Sequence, residues 1–483
     1  MSRLSTRRTL SACALSVALA AFAVPGTASA KGKVGKVGEK CSSELAIKGE
    51  GSSAQKVAQQ NVWIPGFETS ANLAACNGTQ GGGKKPKITY APEGSGAGLR
   101  AFGAEGEAIF HGKTVQYAGT DEPPNEVQKD EIEKHESTPG AEPEALYSLP
   151  VLQFDVAAIV HLPEGCKATS AIKPTSKTIG AEGRLVLGNE TLGKVWLGQI
   201  GTWKELIETE TKENPGNKDA ITPSTCLTEK IKHIVRFDQS GTTHVFKKYL
   251  GLISTEKVAF ENAKKEAVGS KDWDETAEGA ENTSWPVADE VIRPTAKGGG
   301  EEAKLVAKTP SSIGYVNLPE ARADGFAVPT GGEGTATFWV ELQNSGLASE
   351  TKSGKKQKYT DPATNGPVEK AANANCVKEK YTNGKGTKFP PKTTKGLWNS
   401  VTTETKEKGY PICGLTYDLA VTPFHLFVEA PAPGQATTVV DYLSYVLNEE
   451  PEGGQVKIEG NDYERLPAKI DKESKEGLAE VSE

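Results

Sequence analysis

The chain has 483 residues, with 56 Lys and Arg against 63 Asp and Glu, for a formal net charge of −7. A nucleic-acid binder normally carries a basic surplus, and none is present. Anion binding stays open, but it must rest on local donors and not on the field of the whole molecule.

The first thirty residues read as an export signal and not as fold. Arg3, Arg7 and Arg8 make a basic start, an apolar run follows over residues 12–24, and Ala28-Ser29-Ala30 supplies the small residues a signal peptidase requires. The run is too short for a permanent membrane helix. Thr6-Arg7-Arg8-Thr9-Leu10 weakly resembles a twin-arginine signal, and Leu10-Ser11-Ala12-Cys13 spells a lipoprotein box, but one that precedes the apolar run instead of following it. No later stretch is long and apolar enough to cross a bilayer, so the mature protein is expected to be soluble outside the cytoplasm. Removing residues 1–30 leaves 483 minus 30, or 453, residues, too many for one core and suited to two domains or one discontinuous pair.

Residues 31–40 are Gly- and Lys-rich and read as a flexible lead-in. Beyond them, short apolar runs at 45–47, 88–90, 115–118, 156–161 and 231–235 read as buried strands. Segments after several of them have helical spacing, as in Val245, Phe246, Tyr249, Leu250 and Ile253. Strand–helix alternation predicts an α/β architecture. Polar stretches at 124–144, 209–225 and, longest, 347–410 read as surface excursions, the last decorating one lobe. Six cysteines follow the signal: Cys41, Cys76, Cys166, Cys226, Cys376 and Cys413. In an exported chain an even number reads as disulfides; sequential pairing is the expected choice because each bridge then staples one local region. No Cys-x-x-Cys occurs to suggest a metal site, and the histidines are scattered.

Four places repeat one design, in which a strand ends and a Gly, Ser or Thr cluster follows. Gly49-Glu50-Gly51-Ser52-Ser53-Ala54-Gln55 is either a helix cap, with Ser52 and Gln55 as a capping box, or an anion cradle of free amides. Glu93-Gly94-Ser95-Gly96-Ala97-Gly98 lets backbone approach a ligand closely, or is a flexible turn. Asp121, in Gly119-Thr120-Asp121-Glu122-Pro123, either caps a turn or accepts a ligand proton. Arg236-Phe237-Asp238-Gln239-Ser240-Gly241-Thr242-Thr243 offers a planar fork, a carboxylate to brace it, and the start of a helix. An ion pair is the plain alternative there. None of the four convinces singly; together they describe an oxyanion pocket at the C-terminal ends of strands in an open α/β sheet.

At this point the sequence resembles the phosphate-binding protein of phosphate-specific (Pst) ABC importers. The resemblance rests on Gly49-x-Gly51-Ser52-Ser53, Gly94-Ser95-Gly96-Ala97-Gly98, Gly119-Thr120-Asp121-x-Pro123 and Arg236-x-Asp238-x-Ser240-Gly241-Thr242. Leu192-x-x-Val195-x-x-Gly198-x-Ile200-x-x-Trp203 and Ser312-Ile313-Gly314-Tyr315-Val316 support it. It implies a two-lobed periplasmic-binding-protein fold (type II) with two crossover segments and polar loop insertions. Residues 41–153 with 425–483 would form lobe I and 154–424 lobe II, with hinges near 152–154 and 421–425. It implies inorganic phosphate as ligand, a membrane permease as partner, a monomer, and no cofactor, nucleic acid or catalysis. Ser53 and Ala54 would donate amides, Ser53 also its hydroxyl, and Ser95 both amide and hydroxyl. Arg236, braced by Asp238, would pair with phosphate oxygens; Ser240 would offer its hydroxyl, and Gly241 and Thr242 their amides. Asp121 would accept the phosphate's own proton, which sulfate lacks. Two departures stand out: Ala54 replaces a frequent aromatic and would leave one wall more open, and Pro65 would interrupt the first helix. A scavenger or sensor without a transporter shares the fold; a secreted phosphatase using Ser95 or Ser240 would need a base, for which only His244 lies near in sequence.

Overall fold

A computed structural model of the chain describes residues 46–69, 87–104, 115–134, 145–169, 183–214, 219–262, 264–287, 291–292, 296–326, 336–344, 359–363, 382–383, 401–402, 409–422 and 435–481. The signal, the lead-in, Cys41, Cys76, Cys376, residues 423–425 and most of 347–410 lie outside them.

A nine-stranded sheet organises the described residues. Its strands are β1 Ile47–Gly51, β2 Ile88–Ala91, β3 Tyr117–Thr120, β4 Ala145–His161, β5 Lys232–Ile234, β6 Val291–Ile292, β7 Ser312–Asn317, β8 Thr337–Trp339 and β9 Cys413–Thr422. The order is β6-β5-β7-β4-β9-β3-β1-β2, with β8 also on β4. β1 pairs parallel with β2 and β3, and β5 pairs parallel with β6 and β7; β4 and β9 run antiparallel to their neighbours. The chain is therefore α/β, as its alternation predicts, with helices α1 Ile64–Thr69, α2 Ser95–Ala101, α3 Glu126–Lys134, α4 Asn189–Trp196, α5 Trp203–Glu213, α6 Gly241–Ile253, α7 Gly299–Lys308, α8 Leu318–Ala323, α9 Gln435–Val446 and α10 Ala468–Leu478.

β4 holds the sheet together. Residues 145–155 pair with β9, and 156–161 with β7, β8 joining at 159–161. Every residue between Ala145 and His161 is buried, so the strand is sandwiched on both faces and largely apolar on both, with Ser148, Gln153 and Asp155 as the polar exceptions. The sequence predicts a strand only over residues 156–161, the last part of it. Pro150 is accommodated at a bulge, where Tyr417 faces Pro150 and Thr416 faces Leu152. The carbonyls exposed there are satisfied by Ser474 Oγ to Pro150 O (2.8 Å) and Gln455 Nε2 to Val151 O (2.7 Å). The expected hinge residues 152–154 sit inside β4, opposite Gly414, Leu415 and Thr416.

Pro65 does not interrupt the first helix. A π-helical segment, Ala58–Trp63, runs directly into α1, and Pro65 lies in the first turn after it. The wider turn absorbs the missing donor and the ring that would clash in a regular helix. Two expected excursions also prove ordered in part. α3 occupies 126–134, burying Ile132 while Val127 stays exposed. α5 runs to Glu213, started by a capping box in which Thr202 Oγ1 accepts the Glu205 amide and Glu205 Oε2 accepts the Thr202 amide. Its buried Glu210 accepts the Gly188 amide at 2.8 Å, so a polar residue does a core residue's job.

Cys166 and Cys226 are joined, with Cα atoms 6.1 Å apart, as sequential pairing expects. Cys413 is also disulfide-bonded, to a residue outside the described ones. The Cys166–Cys226 bridge closes a separation of 60 residues, worth about 4 kcal/mol in the chain-entropy treatment. A Cys166→Ala/Cys226→Ala double variant is expected to lose stability of that order in urea unfolding; an unmoved midpoint would show that the bridge stabilises nothing.

Candidate functional site

The parallel strands deliver their C-terminal ends to one place. β1 leads into Ser52 and Ser53, β2 into Ser95, β3 into Asp121, and β5, by way of Val235, into Arg236. All eight expected ligand residues, Ser53, Ala54, Ser95, Asp121, Arg236, Ser240, Gly241 and Thr242, are buried.

Asp121 is the centre of one side. Its backbone N–H donates to Ser95 Oγ (3.0 Å). Its Oδ1 accepts from Ser52 Oγ (2.5 Å), and its Oδ2 from Thr242 Oγ1 (3.5 Å). Gly241 opens α6 so close by that a Cβ there would lie 2.4 Å from Asp121 Cβ and 2.6 Å from Ser95 Oγ, so only glycine fits. The amides of Gly241 and Thr242 belong to the first turn of the helix, where no intrahelical acceptor exists and the dipole favours negative charge. Ser240 caps that helix, its Oγ accepting the Thr243 amide at 3.2 Å.

Arg236 is the centre of the other side. Nε reaches Asp238 Oδ1 at 2.6 Å and Nη2 pairs with Oδ2, a fork-to-fork contact. Nη1 reaches Ser53 Oγ at 3.4 Å. Ser53 Oγ accepts the Gly299 amide as well, at 3.2 Å, and the Gly298 amide reaches Asp238 Oδ1 at 3.3 Å. A serine oxygen that accepts twice keeps its own proton to give. Gly94 has φ +106°, and a Cβ on it would meet Asp238 Oδ2 at 2.7 Å, which explains glycine before Ser95.

Burial pulls the Arg236 pKa down, but the charge and hydrogen bond of Asp238 outweigh it and leave it raised. Burial pushes the Asp121 carboxyl up to about 6, against the hydroxyls of Ser52 and Thr416 and the charge of Arg236. Behind Arg236, burial raises Glu302 well above the usual carboxylate range and Glu320 to about 7, the arginine charge opposing both. The guanidinium is paired directly with Asp238, and its charge also acts on Asp121, Glu302 and Glu320. A tetrahedral oxyanion here depends on directed hydroxyls and amides, plus a carboxylate able to accept a proton from it.

Two sequence readings change. The capping-box reading at Ser52 fails, because the Gln55 side chain turns away to Thr416 Oγ1 (2.8 Å) and Tyr417 O (3.0 Å). The Ala54 amide, expected to face ligand, donates to Ser52 Oγ at 3.0 Å, and Ala54 itself is buried, its carbonyl accepting from Tyr463 Oη at 2.6 Å. Several residues were missed. Glu122 accepts the Gly279 amide (2.7 Å) and Asn282 Nδ2 (3.3 Å), and Asn282 in turn clamps the amide and carbonyl of Ser240. Tyr315 Oη lies 2.6 Å from Thr243 Oγ1. The run Gly298-Gly299-Gly300 at the start of α7 was the available signal for the amides on Ser53 and Asp238. Asn282 carried no signal, since nothing local distinguishes it. His244 Nδ1 pairs with Ala277 O at 3.1 Å, and burial holds its pKa down at about 4. A cavity of about 410 Å³ adjoins the site at Asp238, with Glu93, Arg100, Phe237 and Lys297 among its walls. The Lys297–Glu93 ion pair (2.5 Å) and the Arg100 Nη1 to Gln239 Oε1 bond (3.0 Å) tie the β2–α2 region to the segments flanking β5 and α7.

Strand-end clusters of hydroxyls and amides on a mixed, two-way sheet fit a binding protein of the periplasmic type. The sequence matches the family model of the PBP superfamily domain over residues 27–450, and the chain belongs to that family. The phosphate-binding protein PstS of Methanocaldococcus jannaschii is 26% identical over 370 residues, 75% of this chain and 72% of the relative. In fold the chain is similar to a phosphate-binding protein of Stenotrophomonas maltophilia (TM-score 0.51, 16% identity). It is similarly close to an ancestral soluble variant of the human phosphate-binding protein (TM-score 0.51, 18% identity). Each comparison covers 88% of this chain and 92% of the other. The proteins named are all phosphate-binding proteins. Among the described residues no helix is long and apolar enough to cross a membrane.

Proposed function

We propose that the chain captures inorganic phosphate outside the cytoplasm and hands it to the permease of an ABC importer. Lobe I is taken as 41–153 with 425–483 and lobe II as 154–424, the ligand lying between them. The observation that carries this reading is the meeting of Asp121 with the N terminus of α6 beside an Arg236 braced by Asp238. Arg236, the hydroxyls of Ser53, Ser95 and Ser240, and the Gly241 and Thr242 amides serve an oxyanion's acceptors. Asp121 serves its proton, which phosphate has and sulfate lacks.

A phosphatase reading gains no support. His244 is buried and committed to Ala277 O, so it is not poised to activate Ser240. Calorimetric titration at pH 7.5 tests the binding reading: phosphate is expected to bind at least a hundredfold tighter than sulfate, from a mismatch of a few kcal/mol. Equal affinity for the two anions would overturn it.

A further inference from the structure

Ser52 stands outside the set of groups that face the proposed ligand, yet it makes the shortest contact to Asp121. We propose that Ser52 is a positioning residue that decides which oxygen of Asp121 meets the ligand, and so sets the pH range over which phosphate is told from sulfate. This rests on the phosphate reading above.

The geometry fixes Ser52 from every side. It is fully buried, its amide donates to Gly119 O (2.8 Å), and its carbonyl accepts from Tyr90 Oη (2.8 Å). Its Oγ accepts the Ala54 amide, which leaves the hydroxyl proton one outlet, Asp121 Oδ1 at 2.5 Å. Ser52 and Asp121 follow neighbouring parallel strands, paired at Gly51 and Gly119, so their contact is formed within one side of the site before α6 approaches. With Oδ1 taken, Oδ2 is the oxygen turned to Thr242 and the helix N terminus.

A hydroxyl that donates to a carboxylate favours its ionised form. The groups around Asp121 add little that competes. Arg236 from the β5 end also favours ionisation, as does the Thr416 hydroxyl from β9. Tyr90 from β2, Tyr417 from β9 and Tyr463 are all pushed up, chiefly by burial, and so are neutral. The neighbouring Glu122 is engaged with Gly279 and Asn282. Among the influences that oppose burial at Asp121, the Ser52 hydroxyl is the largest. Without it the carboxyl protonates at higher pH, donates where it should accept, and admits sulfate.

The test is a series of phosphate and sulfate titrations from pH 5 to pH 8.5. In the wild type the preference for phosphate narrows as pH falls. In Ser52→Ala the midpoint of that narrowing is expected to move up by about one pH unit, with phosphate affinity at pH 7.5 down roughly tenfold. Ser52→Thr keeps the hydroxyl and is expected to restore the wild-type profile. In an Asp121→Asn background, Ser52→Ala is expected to leave the pH profile unchanged. Should Ser52→Ala not fold, Ser52→Cys, with its weak thiol donor, supplies the same comparison. A Ser52→Ala profile that coincides with the wild type, or a shift that persists without Asp121, overturns the role of Ser52 alone. A wild type with no phosphate preference at any pH overturns the phosphate reading, and this inference with it.

Discussion

Arg236→Ala is expected to weaken phosphate binding by roughly a hundred- to a thousandfold, the consequence of breaking a buried pair worth about 3–5 kcal/mol when one partner is left behind. Arg236 is among the largest fully buried side chains of the described residues, and its guanidinium touches Asp238 and Ser53 at once. Its loss leaves Asp238 without its ion-pair partner and removes the positive charge that acts on Asp121, Glu302 and Glu320, so the pocket becomes less favourable for an anion. Arg236→Lys separates charge from shape. An ammonium restores the charge but cannot meet both Asp238 oxygens and Ser53 together, so partial recovery is expected. Calorimetry of both variants, with thermal unfolding to confirm folding, checks the result. Full recovery in Arg236→Lys would show that charge alone matters.

Asp121→Asn is expected to act on selectivity more than on affinity. The amide preserves size and can still accept from Ser52 on its oxygen, which turns its nitrogen toward Thr242 and the ligand. A donor then stands where an acceptor stood, and sulfate no longer confronts an unpaired carboxylate. The phosphate-to-sulfate preference is expected to fall by roughly a hundredfold, the equivalent of a few kcal/mol. The pH dependence goes with it. Burial pushes the Asp121 carboxyl up to about 6, so in the wild type the acceptor role is present above that pH and is lost as pH falls through it. In Asp121→Asn nothing at that position titrates, and the preference is expected to be low and flat. A variant that still rejects sulfate as strongly as the wild type would move the source of selectivity elsewhere.

What the sequence disclosed follows from how local each signal is. Ser53, Ser95, Asp121 and Arg236 were legible because each follows an apolar strand with a small or turn-forming cluster, a pattern that needs only ten residues to see. Ser52 was visible in the same cluster but not its role, since a capping box and a carboxylate partner 69 positions away use the same hydroxyl. Asn282, itself held by Glu122, holds Ser240, and Tyr315 meets Thr243, all from distant elements; Glu122 and Tyr315 stand inside recognisable motifs, but nothing local discloses those contacts. In the fold, residues 145–155 of β4 were not read as strand; they include Pro150, at a bulge whose carbonyls are met by Gln455 and Ser474 from the distant C-terminal region. α3 escaped notice because it buries little beyond Ile132, so it lacks the apolar stripe that announces a helix.

The place of β9 in the sheet carries a consequence for the order in which the molecule is made. Among the described strands, β3 reaches β4 only through β9. β1, β2 and β3 therefore form one patch, and β4 with β5 to β8 another, and the two share no described sheet pairing until residues 413–422 are in place. Such distant pairing is paid in loop-closure entropy, so closure is slow and comes late. The proposed site draws Ser53, Ser95 and Asp121 from the first patch and Arg236 from the second, so its assembly is expected to wait for β9, nearly at the end of the polypeptide.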